Sequence, residues 1–153
     1  MSFVVRYPDR GNALLNPMIQ FAREELEHFH QVYRLIAERG LVLERDEEDP
    51  YVNALMKEVR FGRDERFLDR LLVSSLIESR GCERLFLVAE RLEDPKLQHF
   101  YHRLARAEGH HQTLFYDLAQ NFFPDSVIQP RWNALREIEA QAIASVPYRH
   151  ALH

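Results

Sequence analysis

Apolar residues recur at three- and four-residue steps through almost the whole chain, and no segment alternates between apolar and polar residues as a half-buried strand would. Only five glycines and seven prolines interrupt this pattern. Capping and breaking residues divide it into predicted helices over about 17–39, 50–61, 64–92, 95–122 and 131–144, followed by the irregular tail "SVPYRHALH". The sequence therefore predicts an all-α fold.

Composition and charge narrow the class of protein further. A chain of 153 residues with 46% hydrophobic content can form one domain with a sizeable core. Its net charge of −4 excludes a strong global attraction to nucleic acid or to an anionic membrane, so a polyanionic partner would have to meet a local patch. Cys82 is the only cysteine, which excludes an intrachain disulfide. Because no run approaches the ~20 apolar residues of a membrane span, we expect a soluble cytoplasmic protein.

The first long helix carries a carboxylate in the middle of its apolar stripe. Glu25 shares a helical face with Phe21 and Phe29, and His28, three residues on, lies at the edge of that face. Glu24, Glu27 and His30 fall on the solvent-facing side. The pair that points inward is therefore predicted to be Glu25 and His28.

The predicted helix over 95–122 repeats the arrangement. Glu108 and His111 share one face with Leu104 and Phe115, whereas His110 points elsewhere. This is a second inward-facing Glu-x-x-His pair.

The third long helix contributes one more inward carboxylate. Glu78 aligns with a row of small and apolar residues, which comprises Leu71, Ser74, Ser75, Cys82 and Leu85. The small side chains would leave room beside the carboxylate. Glu83 is the alternative there, because Leu72, Leu76 and Leu87 form a second apolar face on the same helix.

Three inward carboxylates and two inward imidazoles need a compensating positive charge, because an unpaired ionised carboxylate in a core costs several kcal/mol. Any one of them could pair with an inward arginine such as Arg80 or Arg84. Together, two Glu-x-x-His pairs and a further Glu fit a metal centre better. Carboxylate and imidazole donors suit iron or manganese, and Cys82 is interpreted as a small core residue rather than a ligand.

Three stretches carry a family resemblance over nearly the whole chain: "AREELEHFHQV", "LLVSSLIESRGCERLFLVA" and "ARAEGHHQTLF". Together they resemble the tRNA 2-methylthio-isopentenyladenosine hydroxylases, which are ferritin-like di-iron proteins. The resemblance implies a ferritin-like four-helix-bundle type of fold. It also implies that two iron ions are bound by Glu25, His28, Glu78, Glu108 and His111.

The same resemblance implies a reaction and its partners. The reaction is the oxygen-dependent hydroxylation of the isopentenyl group on a modified adenosine next to the anticodon, with dioxygen as co-substrate. The partners are a tRNA anticodon loop and an electron-donating reductase, and no membrane. A prenyl group would fit a pocket lined by Phe29, Leu71, Ser74, Ser75, Leu85 and Phe115.

Two alternatives keep the same helices. One is a ferritin-like or rubrerythrin-like iron-binding oxidase or peroxidase with the same ligands. The other is an inactive helical fragment without metal, in which arginines pair with the carboxylates.

The N-terminal segment departs from the family pattern. A four-helix di-iron site needs a Glu from its first helix, but the acids before Glu25 are Asp9, which lies in a turn, and Glu24, which points outward. "MSFVVRYP" resembles the last turns of the family's first helix. We therefore expect a single di-iron domain over 1–153 that is N-terminally truncated, with the first bundle helix largely missing and extra short helices. Such a chain would leave an apolar face exposed and form a homodimer through it.

Overall fold

The computed structural model describes residues 2–45 and 47–146. These residues form helices joined by short connections and contain no strand, which confirms the all-α prediction. A 3₁₀ turn, Pro8–Arg10, precedes the second helix. The α-helices are α1 Ser2–Arg6, α2 Gly11–Glu38, α3 Pro50–Lys57, α4 Arg63–Arg91, α5 Pro95–Glu108, α6 His111–Phe122 and α7 Asp125–Ser145.

The chain forms two compact units, 1–47 and 48–153. The first contains α1 and α2, and the second contains α3 to α7. The expected single domain over 1–153 stays a prediction.

In the first unit, α1 packs against α2. Leu14 and Met18 of α2 are buried, as are the rings of Phe3 and Tyr7, whose centroids lie 6.4 Å apart. Gly11 has a φ of 58°, a left-handed conformation that lets the chain turn from the 3₁₀ turn into α2. The predicted start at residue 17 was wrong, because α2 begins at Gly11 and Pro17 lies inside it. Pro17 has no backbone N–H to donate, but the helix of 28 residues continues on both sides of it.

In the second unit, α4 is the central helix and packs against α3, α5, α6 and α7. Its core-facing residues are fully or almost fully buried, among them Phe67, Leu71, Leu72 and Leu85. The Asp-Pro start signals are confirmed, since the side chain of Asp49 accepts a hydrogen bond from Tyr51 N at 2.7 Å and that of Asp94 accepts one from Lys96 N at 2.8 Å.

Three further helix boundaries differ from the predictions. The expected single helix over 95–122 is interrupted, because α5 ends at Glu108 and α6 begins at His111. The last helix starts at Asp125 rather than 131, with Pro130 inside its second turn. α3 ends at Lys57 rather than 61. The predicted tail lies mostly outside the described residues, which end at 146.

A buried carboxylate that the sequence analysis did not single out holds the end of α3 in place. Asp69 of α4 is fully buried and accepts hydrogen bonds from the Arg60 guanidinium at 2.8 and 2.9 Å and from Arg131 of α7 at 2.8 and 2.9 Å. Arg60 N also donates to Asp69, at 2.9 Å, and Arg131 donates to the carbonyl oxygen of Glu58, at 2.6 Å. Asp69 thus takes the place of a helical carbonyl at Arg60 N, and α3 does not continue through this residue.

None of the helices in the described ranges has both the length and the apolar character that crossing a membrane requires.

Candidate functional site

The first unit places Glu25 and His28 together on α2. His28 Nδ1 lies 3.7 Å from Glu25 Oε1, and the His28 and Glu25 side chains are 15% and 39% exposed, respectively. Glu27 and His30 have the same spacing on α2, and His30 Nδ1 lies 4.0 Å from Glu27 Oε2, but their side chains are 62% and 60% exposed. Burial therefore separates two overlapping Glu-x-x-His pairs, and Glu25 and His28 are the more buried pair.

The second unit brings Glu108 and His111 into direct contact. Glu108 is the last residue of α5 and His111 is the first of α6, and His111 Nδ1 lies 2.8 Å from Glu108 Oε2. Their side chains are only 12% and 3% exposed. His110, between them, is exposed, as the helical face had indicated.

The interruption between α5 and α6 preserves this shared face. Gly109 and His110 keep right-handed helical dihedrals, with φ of −55° and −75°. Gly109 N bonds to Ala105 O at 3.0 Å in the α-helical manner, whereas His110 N bonds to Ala107 O at 3.2 Å, three residues back. The turn is tightened toward 3₁₀ geometry, which is frequent at helix ends.

The donor atoms of this buried pair fit a metal ligand set. A carboxylate oxygen and a ring nitrogen 2.8 Å apart can share a proton or a cation. A carboxylate that is almost removed from water needs such a positive partner. Oxygen and imidazole donors without thiolate are the set that iron and manganese accept well.

On α4, Glu78 is half-buried and lies between two buried residues, Ser75 and Cys82, that hydrogen-bond across to α5 and α6. Ser75 Oγ donates to the carbonyl oxygen of Gln112 at 3.0 Å, and Cys82 Sγ donates to that of Ala105 at 3.3 Å. Glu78 shares their helical face, because the three residues lie at positions i, i+3 and i+7. That face of α4 therefore packs on the helices that carry Glu108 and His111.

Glu83, the alternative on α4, is exposed and pairs with Arg80 at 2.5 Å. Arg80 also approaches Glu139 of α7 at 3.5 Å. The interpretation in which Arg80 neutralises one of the inward carboxylates is therefore wrong, because its guanidinium serves Glu83 and Glu139.

The Cys82 thiol is buried and is not part of a disulfide. Burial raises its pKa, and the charge of Glu108 raises it further, while a hydrogen bond with the Gln112 side chain opposes both. The thiol therefore stays protonated at neutral pH and can donate to Ala105 O. This agrees with the interpretation of Cys82 as a core residue.

The predicted pocket residues separate into two groups. Leu71, Leu85 and Phe115 are buried, and Ser74 is half-buried beside the buried Ser75. Phe29, by contrast, is 56% exposed and stacks on Tyr33 with ring centroids 6.5 Å apart. Phe29 is therefore not enclosed as the three buried residues are, and its place in the pocket stays a prediction.

Comparison with known proteins places the chain in a family. Residues 1–153 match the family described as tRNA-(MS[2]IO[6]A)-hydroxylase (MiaE). A protein of Pseudomonas putida (strain KT2440), named tRNA 2-(methylsulfanyl)-N(6)-isopentenyladenosine(37) hydroxylase, is 35% identical over 145 residues, which cover 95% of this chain and 70% of the relative. A protein of the same name from Salmonella typhimurium (strain LT2) is 32% identical over 143 residues. The match covers 94% of this chain and about half, 52%, of that relative.

A solved structure is similar over almost the whole chain. It is that of "Protein 43 with aldehyde deformylating oxygenase activity from Synechococcus", which has a TM-score of 0.90 and is 36% identical, with 97% of this chain and 73% of that chain covered. The likeness confirms the predicted ferritin-like class of helical fold. With the match to the family over residues 1–153, it shows that this chain belongs to the tRNA-(MS[2]IO[6]A)-hydroxylase family.

Proposed function

We propose that this protein is an oxygen-dependent di-iron enzyme of tRNA modification. Its substrate is the 2-methylthio-isopentenyladenosine next to the anticodon, and it hydroxylates the isopentenyl group. The observation that carries the proposal is the buried Glu108 and His111 pair, 2.8 Å apart, in a chain whose curated relatives are named for this activity. A tRNA substrate also favours a cytoplasmic location.

The proposed iron ligands are the five residues that the sequence indicates: Glu25, His28, Glu78, Glu108 and His111. Within each unit, local geometry supports the assignment. Glu25 and His28 are less exposed than Glu27 and His30 on α2, and Glu108 and His111 are almost buried where α5 meets α6. Two iron ions, when bound, supply the reductive activation of dioxygen that side chains alone cannot perform.

The overall reaction requires an electron donor. One atom of dioxygen enters a C–H bond of the isopentenyl group and the other leaves as water, which consumes two electrons and two protons. We propose that a reductase supplies these electrons.

The chain's own residues would bind the substrate and exclude water. Leu71, Leu85 and Phe115 are buried apolar side chains of the second unit. They are suited to receive a prenyl tail and to keep water away from the reacting carbon. An anticodon loop is single-stranded, so the modified base can leave the stack without melting a duplex.

The first prediction tests the activity. The protein, reconstituted with ferrous iron and supplied with oxygen and a chemical or enzymatic reductant, is expected to add one oxygen atom to the prenylated adenosine of tRNA from a strain that lacks the hydroxylase. Nucleoside mass spectrometry measures the gain, and heat-inactivated protein is the control. An unchanged nucleoside together with rapid peroxide turnover would favour the oxidase or peroxidase alternative. Deformylation of an aldehyde instead would favour the activity for which the Synechococcus protein is named.

We also propose that α2 mediates self-association. Ile19, Leu26 and Tyr33 are exposed at seven-residue intervals, and the exposed Phe29 lies three residues after Leu26. This spacing is typical of a coiled-coil seam. In an antiparallel pair, Leu26 would meet Phe29 of the partner subunit, so the face is complementary to itself.

The second prediction concerns this dimer. Leu26→Lys is expected to convert a concentration-dependent dimer into a monomer, because a charge at the centre of an apolar seam remains unpaired and desolvated. Sedimentation velocity measures the change, and Val127→Lys, at an exposed position on α7, is the matched control. A wild-type chain that sediments as a monomer at all concentrations would contradict the proposal.

A further inference from the structure

The two hydrogen bonds from α4 to α5 and α6 lie on either side of the Glu108 and His111 pair. Cys82 bonds to the carbonyl oxygen of Ala105, three residues before Glu108, and Ser75 bonds to that of Gln112, one residue after His111. One bond therefore reaches α5 and the other reaches α6, so together they span the interruption between the two helices.

The register of these bonds brings Glu78 level with the pair. Ser75 and Cys82 lie seven residues apart on α4, and their partners lie seven residues apart in the opposite chain direction. On α4 this is about 10.5 Å of helix, at 1.5 Å per residue, and the opposing segment has the same number of residues. Glu78 lies near the middle of the α4 segment, and Glu108 lies near the middle of the opposing segment. The antiparallel alignment therefore sets Glu78 opposite Glu108.

The interruption needs such support. The hydrogen bond from His110 N to Ala107 O is of the tighter 3₁₀ type, and neither Gly109 nor His110 belongs to a helix. A tightened turn within a helical run often marks a hinge. Glu108 and His111 are on opposite sides of this turn, so any flexing there changes the distance between the two side chains.

We propose that Ser75 and Cys82 are positioning residues, and that their two hydrogen bonds lock the α5 to α6 turn so that Glu108 and His111 stay aligned with Glu78. The proposal rests on the proposed function for its catalytic meaning, but it makes its own claim about the turn. Ser75 and Cys82 act through the backbone of α5 and α6, and neither is a ligand.

The third prediction follows from the positioning role of Ser75 and Cys82. In the metal-free protein, Ser75→Ala and Cys82→Ala are each expected to speed amide hydrogen exchange across residues 109–112 about fivefold, which is the effect of losing one net hydrogen bond. The double variant is expected to exceed tenfold. Cobalt(II), added as its chloride and followed by its visible absorption, is expected to bind the double variant about tenfold more weakly, as with loss of other outer-shell partners of metal ligands.

Matched variants distinguish the loss of these two hydrogen bonds from a general destabilisation of the protein. Ser74→Ala changes the adjacent half-buried serine, and Cys82→Ser retains a donor of similar size, so both are expected to match the wild type in exchange and in cobalt affinity. Unchanged exchange in the double variant would overturn the proposal, and so would faster exchange with unchanged cobalt affinity. If the exchange and cobalt results are as expected but wild-type protein leaves the tRNA nucleoside unmodified, the proposed function is wrong and the positioning role of Ser75 and Cys82 is supported.

Discussion

Replacing Asp69 with asparagine is expected to lower the free energy of unfolding by about 3 kcal/mol, the cost of removing one partner from a buried ion pair. The asparagine would leave Arg60 and Arg131 without their shared negative partner and would release the connection between α3 and α4. For a chain of this size, the melting temperature is expected to fall by roughly 6 to 12 °C. Differential scanning calorimetry measures the loss.

The same carboxylate predicts a pH dependence of stability. Burial alone would raise the pKa of Asp69, but the hydrogen bonds from Arg60 and Arg131 lower it below the ordinary value of 3.8. The depressed pKa means that the native state favours the ionised form. Its contribution to stability is therefore complete above about pH 4 and is lost as the pH falls through the lower pKa of the folded protein.

Glu83→Gln is the matched control for this prediction. Like Asp69, Glu83 pairs with an arginine, in this case Arg80, but the Glu83 side chain is 56% exposed. Exposed ion pairs contribute about 0 to 1 kcal/mol to the free energy of unfolding. We expect little change in stability for this variant at any pH. An equal loss for Glu83→Gln and Asp69→Asn would show that the buried network has no special role.

Helical periodicity was sufficient to predict most of the fold. The long helix over 64–92 was placed within one residue of the observed Arg63–Arg91, because a long apolar face is a local signal. The proline boundaries were less reliable. The helices predicted from 17 and from 131 begin earlier, at Gly11 and Asp125, so that Pro17 and Pro130 lie inside them. A proline destabilises the interior of a helix, but the packing of the rest of the helix can outweigh that cost.

The candidate ligand pairs were visible in the sequence, but their surroundings were not. Facial periodicity distinguished Glu25 from Glu27, and the burial of their side chains follows that distinction. It could not show that Phe29 is exposed, because an apolar arc does not reveal how much of it finds a partner. Nor could it identify Asp69, whose partners are 9 and 62 residues away in the chain. Gly109, in the middle of a predicted helix, was the one local signal of the interruption beside His111.

The proposed iron site predicts the largest functional effect. His111→Ala or Glu108→Ala is expected to weaken iron binding at least about 100-fold, because loss of even an outer-shell partner costs about 10- to 100-fold. Either change also leaves the other side chain buried without its 2.8 Å contact. His110→Ala, at the exposed position between them, is expected to retain the wild-type affinity. Isothermal titration with ferrous iron under anaerobic conditions compares the three variants.

The most direct test of the central claim is the iron content of two double variants of α2, measured by inductively coupled plasma mass spectrometry after reconstitution and desalting. Glu25→Ala with His28→Ala removes the more buried pair, and Glu27→Ala with His30→Ala removes the exposed pair two residues on. Both changes have the same chemistry, spacing and helix, so they differ mainly in the face that they alter. We predict that the first variant loses most of its iron and that the second keeps the wild-type content. Equal iron content in the two variants would contradict the assignment of the ligands.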